Sequence, residues 1–172
     1  MPLKVMPSAL EAEASLLGTM MIYPRSARIA MEEGLSEDDF YAEANKRIFK
    51  AIDSLYQEGA AIDITTTSTR LKDLGTLESV GGFSYLTRLT DAAVTSANTK
   101  NYVTMVHDKA IMRNMIETAE RIAEEGYAGQ TDINEYLDQA EKSILNISHN
   151  RKTNDFAAVE KLCSQLEEIS QE

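Results

Sequence analysis

The sequence predicts an all-α protein, and three observations support that prediction. The three prolines, Pro2, Pro7 and Pro24, all lie within the first 24 residues, so none interrupts a helix in the rest of the 172-residue chain. Apolar residues recur at spacings of three and four through most of the chain, which is the helical period. Residues 97–125 contain neither glycine nor proline, so one long helix is expected there.

The composition excludes several classes of protein. Hydrophobic residues make up 43% of the chain and charged residues 26%, as in a folded domain rather than a disordered one. No apolar run approaches the roughly 18–20 residues that span a bilayer, and the N-terminus lacks the apolar stretch of a signal peptide. Cys163 is the only cysteine and cannot form an internal disulfide, so we expect a cytoplasmic protein.

Charge and glycine placement argue against binding of nucleic acid or nucleotide by this chain. The chain has 17 Lys+Arg against 28 Asp+Glu, a net charge of −11, whereas phosphate backbones are bound mainly by Lys and Arg. A nucleotide-binding P-loop needs a Gly-Lys dipeptide at the end of a glycine-rich turn, and the sequence contains none. We therefore expect no catalytic residues, no cofactor and no metal in this chain.

The first part of the chain is predicted to form a helical globular head over residues 1–96. A long helix should follow the acidic cluster after Ser36 and end near Gly59. Asp63 is expected to cap a short helix. The β-branched run over residues 62–69 also permits a strand, but a helix is favoured because a lone strand would have no partner.

The next part is predicted to be a helical hairpin over residues 97–148. The first long helix should end in a turn between Gly126 and Thr131, and a second helix should follow it. Apolar residues of the second helix follow spacings of 4, 3, 4 and 3, a heptad seam: Ile133, Leu137, Ala140, Ile144 and Ile147. In the first helix, Met105, Met112 and Met115 are favoured as core residues, and an adaptable partner surface is the alternative.

The end of the chain is predicted to be a separate helix behind a linker. Residues 149–154 are wholly polar and are expected to form that linker. Asp155 should cap a last amphipathic helix over residues 155–172. Its apolar stripe has no evident place in the head or the hairpin, which favours a partner surface and a chain cut from a longer one.

The side chains that could carry chemistry have simpler structural interpretations. His107 is expected to be structural or solvated rather than a metal ligand. Glu11 and Glu13, and the acids at 37–39, could serve as acid–base pairs, but the preference of helix N-termini for negative charge accounts for them. Cys163 lies on the apolar stripe of the last helix and is interpreted as a packing thiol.

A series of motifs runs along the chain in a fixed order, beginning with PSALEAEASLLG at residues 7–18. The later motifs are Asp39-Phe40-Tyr41, Ile48-Phe49-Lys50-Ala51, Gly59, Ile62-Asp63, Leu71, Gly75, Leu77, Gly81-Gly82-Phe83-Ser84-Tyr85-Leu86, Ser96-Ala97-Asn98, Tyr102 and Lys109. In residue type and spacing, over nearly the whole chain, the series resembles the N-terminal domain of DnaB-type replicative DNA helicases of bacteria and their phages. Two departures are Asn45, where the family usually has His, and Val94, where it usually has Pro.

The resemblance implies a non-catalytic collar domain of a hexameric helicase rather than an enzyme. The parent protein would be an ATP-dependent DNA helicase, with ATP and Mg bound by a RecA-like ATPase domain beyond residue 172. The implied partners are a second copy of the chain, as a dimer within a trimer of dimers, the primase, a helicase loader and the ATPase domain of the neighbouring subunit. Single-stranded DNA would pass through the parent ring with weak or no direct binding by this domain.

The resemblance also selects candidate interaction residues. Tyr85 is the candidate for contact with primase, together with the hairpin turn. The candidates for the dimer interface of the hairpin are Ile116, Ala119, Ile122, Tyr127, Ile133 and Leu137. The candidates for docking of the linker helix are Phe156, Val159, Leu162 and Leu166. Two alternatives remain at this stage: a stand-alone helical adaptor without a motor domain, and an enzyme that uses the acidic clusters.

Overall fold

A computed structural model of the chain describes residues 4–129 and 132–170, and the side chains of these except for residues 150–162. The described part consists of α-helices, two short 3₁₀ turns and loops, without a strand, so the all-α prediction is confirmed. No helix in this part is long and apolar enough to cross a membrane. The helices are α1 (Leu10–Ile22), α2 (Pro24–Glu32), α3 (Glu43–Gln57), α4 (Ile64–Asp73), α5 (Gly82–Asp91), α6 (Thr99–Ala128) and α7 (Ile133–Ser170).

The chain divides into two compact units between Ala110 and Ile111. We call the described residues up to Ala110 the head unit and those from Ile111 the hairpin unit. The boundary lies later than the sequence suggested, because the first turns of α6 bury Val103 and Val106 in the core of the head. The rest of that core comes from α1 to α5 and from the loops between them, and its largest members are Phe40, Phe49, Leu16, Leu17, Met20, Ile48, Ile52, Leu71, Leu86 and Leu89.

Side-chain capping settles the choice between helix and strand after residue 62. The Asp63 carboxylate accepts a hydrogen bond from the backbone N–H of Thr66, and the Thr66 hydroxyl accepts one from the backbone N–H of Asp63. This reciprocal cap begins α4, as the sequence predicted. The helix expected after Ser36 differs, because Ser36 and Asp39 cap only a 3₁₀ turn and α3 does not begin until Glu43.

Helices α1 and α5 approach each other closely at a glycine. A Cβ atom on Gly18 in α1 would collide with the backbone carbonyl of Leu89 in α5. Only a residue without a side chain allows the two backbones to come this close. The contact holds α5, and Tyr85 on it, against the core of the head.

The hairpin unit contains the last turns of α6 and the whole of α7, which runs antiparallel to them. The Arg121 guanidinium donates to the Ser143 hydroxyl, and the Tyr136 hydroxyl donates to the backbone carbonyl of Ile122. Higher residue numbers on α6 thus meet lower numbers on α7, which defines an antiparallel pair. The predicted hairpin is therefore present in this unit.

The predicted linker at 149–154 is wrong at the level of the backbone, because α7 is one helix from Ile133 to Ser170. No glycine or proline occurs between these two residues, so nothing in the sequence breaks the helix. Polar residues at 149–154 are also compatible with a helix surrounded by water. The expected start of a separate helix at Asp155 is wrong for the same reason.

The substitution Gly18→Ala tests the close contact between α1 and α5. The added methyl group has no room against the Leu89 carbonyl, so we expect the free energy of unfolding to fall by about 2–3 kcal/mol. Urea denaturation followed by circular dichroism measures this change. Ser15→Ala, on the same helix, adds no atoms and should change the stability by less than about 1 kcal/mol. Equal stability of Gly18→Ala and the unchanged chain would contradict the contact.

Candidate interaction surfaces

The two helices of the hairpin unit meet along a seam of half-buried side chains. Tyr136 and Ala140 of α7 face Ile122 of α6. A Cβ atom on Gly126 would lie 2.6 Å from the Tyr136 hydroxyl oxygen, so this glycine leaves room for the tyrosine near the turn. The seam therefore uses only one side of each helix.

A second row of apolar side chains lies beside the seam and is exposed to solvent. On α7 these are Ile133, Leu137 and Ile144, which are 62%, 55% and 44% exposed. A corresponding row of exposed apolar residues lies on α6. On each helix this row lies three or four residues away from the residues of the seam. Because the two helices are antiparallel, both rows point to the same side of the hairpin. We call this side the apolar face, and its members are Met112, Met115, Ala119, Ile133, Leu137 and Ile144.

The six hairpin residues selected from the sequence fall into three groups. Ala119, Ile133 and Leu137 lie on the apolar face. Ile116 and Ile122 are half-buried, and Ile122 belongs to the seam within the chain. Tyr127 is almost fully exposed at the end of α6, where it neighbours the turn rather than the face.

Three members of the apolar face were not selected from the sequence. Met112 and Met115 were favoured as core residues, and the structure corrects this because both side chains are exposed. Ile144 was recognised only as part of the heptad seam. That seam splits in the structure, since Ala140 and Ile147 turn towards α6 while Ile144 faces solvent. Met112 and Ala119 are seven residues apart, so the heptad period could have placed them on the same side of α6. The period does not show whether that side faces the other helix or the solvent.

The opposite side of the hairpin unit is polar. A shallow groove of about 360 Å³ runs between the helices there, with Arg121, Glu125 and Lys142 along its rim. Arg121 lies 3.8 Å from the Glu125 carboxylate and also donates to Ser143, so its charge is engaged within the groove. The contrast between the two sides makes the hairpin unit amphipathic.

The candidates for linker-helix docking lie on the C-terminal half of α7. The Leu166 side chain is exposed, and so is that of Ile169. The side chains of Phe156, Val159 and Leu162 lie outside the described residues. Cys163 is exposed among the described residues, so its interpretation as a packing thiol is wrong for this part of the chain.

Tyr85, the candidate for primase contact, belongs to a buried hydrogen-bond network in the head unit. Its hydroxyl donates to the Asn45 side-chain oxygen at 2.7 Å, and the Asn45 amide donates to the Glu13 carboxylate at 3.1 Å. Burial of the phenol, helped by the Glu13 charge, raises the pKa of Tyr85 against the opposing effects of Arg88 and of the hydrogen bond to Asn45. The ring is only partly exposed, and the Arg88 guanidinium lies over it, 5.3 Å from its centre.

The carboxylates that could have formed acid–base pairs are instead structural. Glu13 is 1% exposed and accepts hydrogen bonds from the backbone N–H groups of Tyr41 and Ala42, at the start of α3. Glu13 lies in the first turn of α1, as the sequence predicted, and it also accepts from the two backbone N–H groups just before α3. Asp39 lies 2.9 Å from the ring nitrogen Nδ1 of His107, which gives this histidine a structural partner.

A metal site is not formed in the part of the chain that the structure describes, where no three His, Cys, Asp or Glu side chains converge. The features that stand out are an all-helical head with a buried polar network and an amphipathic hairpin with one exposed apolar face. This is the architecture of a helical interaction domain.

Comparison with known proteins identifies the family. Residues 5–108 match the family described as DnaB-like helicase N terminal domain. The chain is 33% identical over 159 residues to the replicative DNA helicase DnaC of Bacillus subtilis, and 33% identical over 162 residues to the replicative DNA helicase DnaB of Geobacillus stearothermophilus. The chain belongs to the family of DnaB-like helicase N-terminal domains.

These relatives are longer proteins. The alignments include 92% and 94% of this chain but only 35% and 36% of the two helicases, so the chain spans about a third of their length. Among solved structures, the crystal structure of the N-terminal domain of DnaB helicase from Mycobacterium tuberculosis is 34% identical, with a TM-score of 0.77. That match covers 81% of this chain and 98% of the solved one.

A second solved structure has the same fold. It is a DnaB-like replicative helicase described together with its interactions with primase, and it matches with a TM-score of 0.67. The match covers 81% of this chain and 31% of that one. Its sequence identity of 22% makes this a likeness of fold only.

The substitution Tyr85→Phe tests the buried network. It leaves the Asn45 oxygen without its donor, so we expect the free energy of unfolding to fall by about 1–2 kcal/mol in urea titrations at neutral pH. Tyr102→Phe is a matched control, because Tyr102 is also half-buried against the core and its hydroxyl has no hydrogen bond among the described residues. A smaller loss for Tyr85→Phe than for the control would contradict the network.

The raised pKa of Tyr85 gives the same variant a dependence on pH. Stability from the neutral hydroxyl is present below a pH of about 10, the ordinary tyrosine value, and is lost as the pH rises through the pKa of the folded state. Phenylalanine has no hydroxyl to ionise, so the stability of Tyr85→Phe should not fall with this ionisation. The difference in the free energy of unfolding between the unchanged chain and Tyr85→Phe should therefore shrink at alkaline pH.

Proposed function

We propose that this chain is the non-catalytic collar domain of a hexameric replicative DNA helicase, which pairs subunits and receives the primase during DNA replication in the cytoplasm. The observation that carries the proposal is the exposed apolar face of the hairpin unit, on a chain that belongs to the family of DnaB-like helicase N-terminal domains. ATP and Mg would be bound by the ATPase domain of the parent protein. Single-stranded DNA would pass through the parent ring with weak or no contact to this acidic chain.

A second copy of the chain is the proposed occupant of the apolar face. Surface apolar residues scattered singly are ordinary, but six on one side of a hairpin form a continuous patch, which favours an interface. The face carries no charged member, so two copies can stack face to face without burying an unpaired ion. Three such pairs would complete the collar of the hexamer.

The proposed primase contact lies on α5 of the head unit, and the hairpin turn is a separate candidate. Tyr85 contributes the exposed part of its ring, because its hydroxyl is held by Asn45. Phe83, two residues earlier, is 51% exposed and would contact the same partner. A solved DnaB-like helicase of the same fold is described with its interactions with primase, which supports this assignment.

The remaining proposed partners involve α7 and the rest of the ring. Leu166, with Phe156, Val159 and Leu162, would dock on the ATPase domain of the neighbouring subunit. A helicase loader would bind the assembled collar. The alternative, a stand-alone helical adaptor, is distinguished by the gene: continuation of the reading frame past Glu172 into a Gly-Lys-Thr P-loop supports the helicase, and a stop codon there would exclude it.

The substitution Leu137→Gln tests pairing through the apolar face. Both copies lose an apolar contact of about 1.5–3 kcal/mol, so we expect the dimer dissociation constant to rise at least tenfold in sedimentation equilibrium. Leu145→Gln is a matched control on the same helix. Leu145 is 57% exposed, close to the 55% of Leu137, but lies off the face. Equal effects of the two substitutions, with helicity unchanged by circular dichroism, would contradict pairing through this face.

The substitution Phe83→Ala tests the primase contact. We expect it to reduce capture of the primase of the source organism at least severalfold in a pull-down, because an exposed aromatic side chain is a common anchor of an interface. Leu74→Ala is the control, since Leu74 is also 51% exposed in the head unit but lies at the end of α4. Undiminished capture by Phe83→Ala would exclude α5 from the contact.

A further inference from the structure

The hairpin unit carries a strong negative charge around its apolar face. Residues 111–148 contain eight acidic and three basic side chains, a net charge of −5 on two short helical segments. All eight acids are exposed. Glu125 pairs with Arg121, at 3.8 Å, on the polar side of the hairpin, and even complete pairing of the three bases would leave five acids. Most of this charge is therefore not neutralised within the hairpin unit.

One acid borders the apolar face, and a second lies one step further out. Glu141 lies four residues after Leu137 and three before Ile144, so on the helix it neighbours both of these members of the face. On α6, Ile116 neighbours Met112 and Ala119 of the face, and Glu120 lies four residues after Ile116, further out on the same side. We call Glu120 and Glu141 the acidic rim of the face.

When two copies stack through this face, each brings its acidic rim to the edge of the interface, so charges of the same sign gather there. Charges at the edge of an interface repel across water, and the repulsion is screened over about 10 Å at 0.1 M salt and about 3 Å at 1 M. The apolar contact itself contains no ion pair that salt could weaken. Attraction between the faces and repulsion between the rims therefore respond differently to ionic strength.

We propose that the acidic rim opposes self-pairing of the hairpin, so that pairing is weak at low ionic strength and is strengthened by salt. This rests on the proposed pairing through the apolar face. Ion pairs across an interface would produce the reverse dependence. Isolated domains would therefore pair only when salt screens the repulsion between their acidic rims. Subunits that other contacts already hold in a ring would pair at any salt concentration.

Sedimentation equilibrium of the 172-residue chain at 50 and 500 mM NaCl tests this inference. We expect the dimer dissociation constant to fall about tenfold as the salt concentration rises. The double variant Glu120→Gln and Glu141→Gln reduces the charge of each hairpin from −5 to −3. It should pair severalfold more tightly than the unchanged chain at 50 mM NaCl and depend less steeply on salt.

A matched control separates the rim from the charge of the whole chain. Glu11→Gln and Asp91→Asn remove the same amount of charge from exposed positions of the head unit. This double variant should keep the salt dependence of the unchanged chain. An equal tightening by the head and rim variants would assign the repulsion to total charge and overturn the proposal.

The remaining outcomes are also decisive. A dissociation constant that is constant or rises with salt would overturn the rim while leaving pairing through the apolar face intact. Absence of dimer at both salt concentrations, for all three chains and up to millimolar protein, would overturn the pairing and the rim together. Circular dichroism of each variant confirms that the helices are retained.

Discussion

Two antiparallel helices can cover only one side of each other, and the interactions of this chain follow from that constraint. The seam around Ile122 and Tyr136 buries one row of apolar residues. The adjacent row, which includes Leu137 and Ile144, has no third helix to cover it within the hairpin unit. The hairpin therefore covers one of its two apolar rows and leaves the other exposed to solvent. In a globular head the same row would be buried, which is why the hairpin unit carries the exposed surface.

The head unit solves a different problem, since it must hold several short helices in fixed positions. Glu13 does this by accepting hydrogen bonds from the backbone N–H groups of Tyr41 and Ala42, just before α3, while Asn45 joins it to the Tyr85 hydroxyl on α5. A buried carboxylate is costly unless its oxygens are fully engaged, and here each oxygen accepts from the chain. The same network limits Tyr85 as a partner residue, because its polar end is already committed and only the ring remains to bind.

The sequence was sufficient for the elements but not for the orientation of their faces. The cap at Asp63 and the glycine-free run at 97–125 are local signals, and each predicted the correct helix. The turn was expected to begin at Gly126, but α6 continues through this glycine to Ala128. The linker at 149–154 failed because polar composition alone does not interrupt a helix that lacks glycine and proline. Met112 was assigned to the core because periodicity identifies rows of apolar residues without saying which row meets a partner. That choice depends on the register between α6 and α7, a tertiary property.

Charge gives the apolar face a selectivity that hydrophobicity alone cannot. An apolar patch binds any patch of matching shape, but Glu120 and Glu141 at its edge penalise acidic partners and favour neutral or basic ones. In the proposed pairing a second copy of this chain is acidic, so the rim would oppose it while the apolar face would attract it. Pairing between separate chains would then depend on the balance between attraction of the apolar faces and repulsion of the acidic rims. Tethering of subunits in a ring raises their local concentration, which would overcome the repulsion. The acidic rim would thus restrict pairing to subunits that are already assembled.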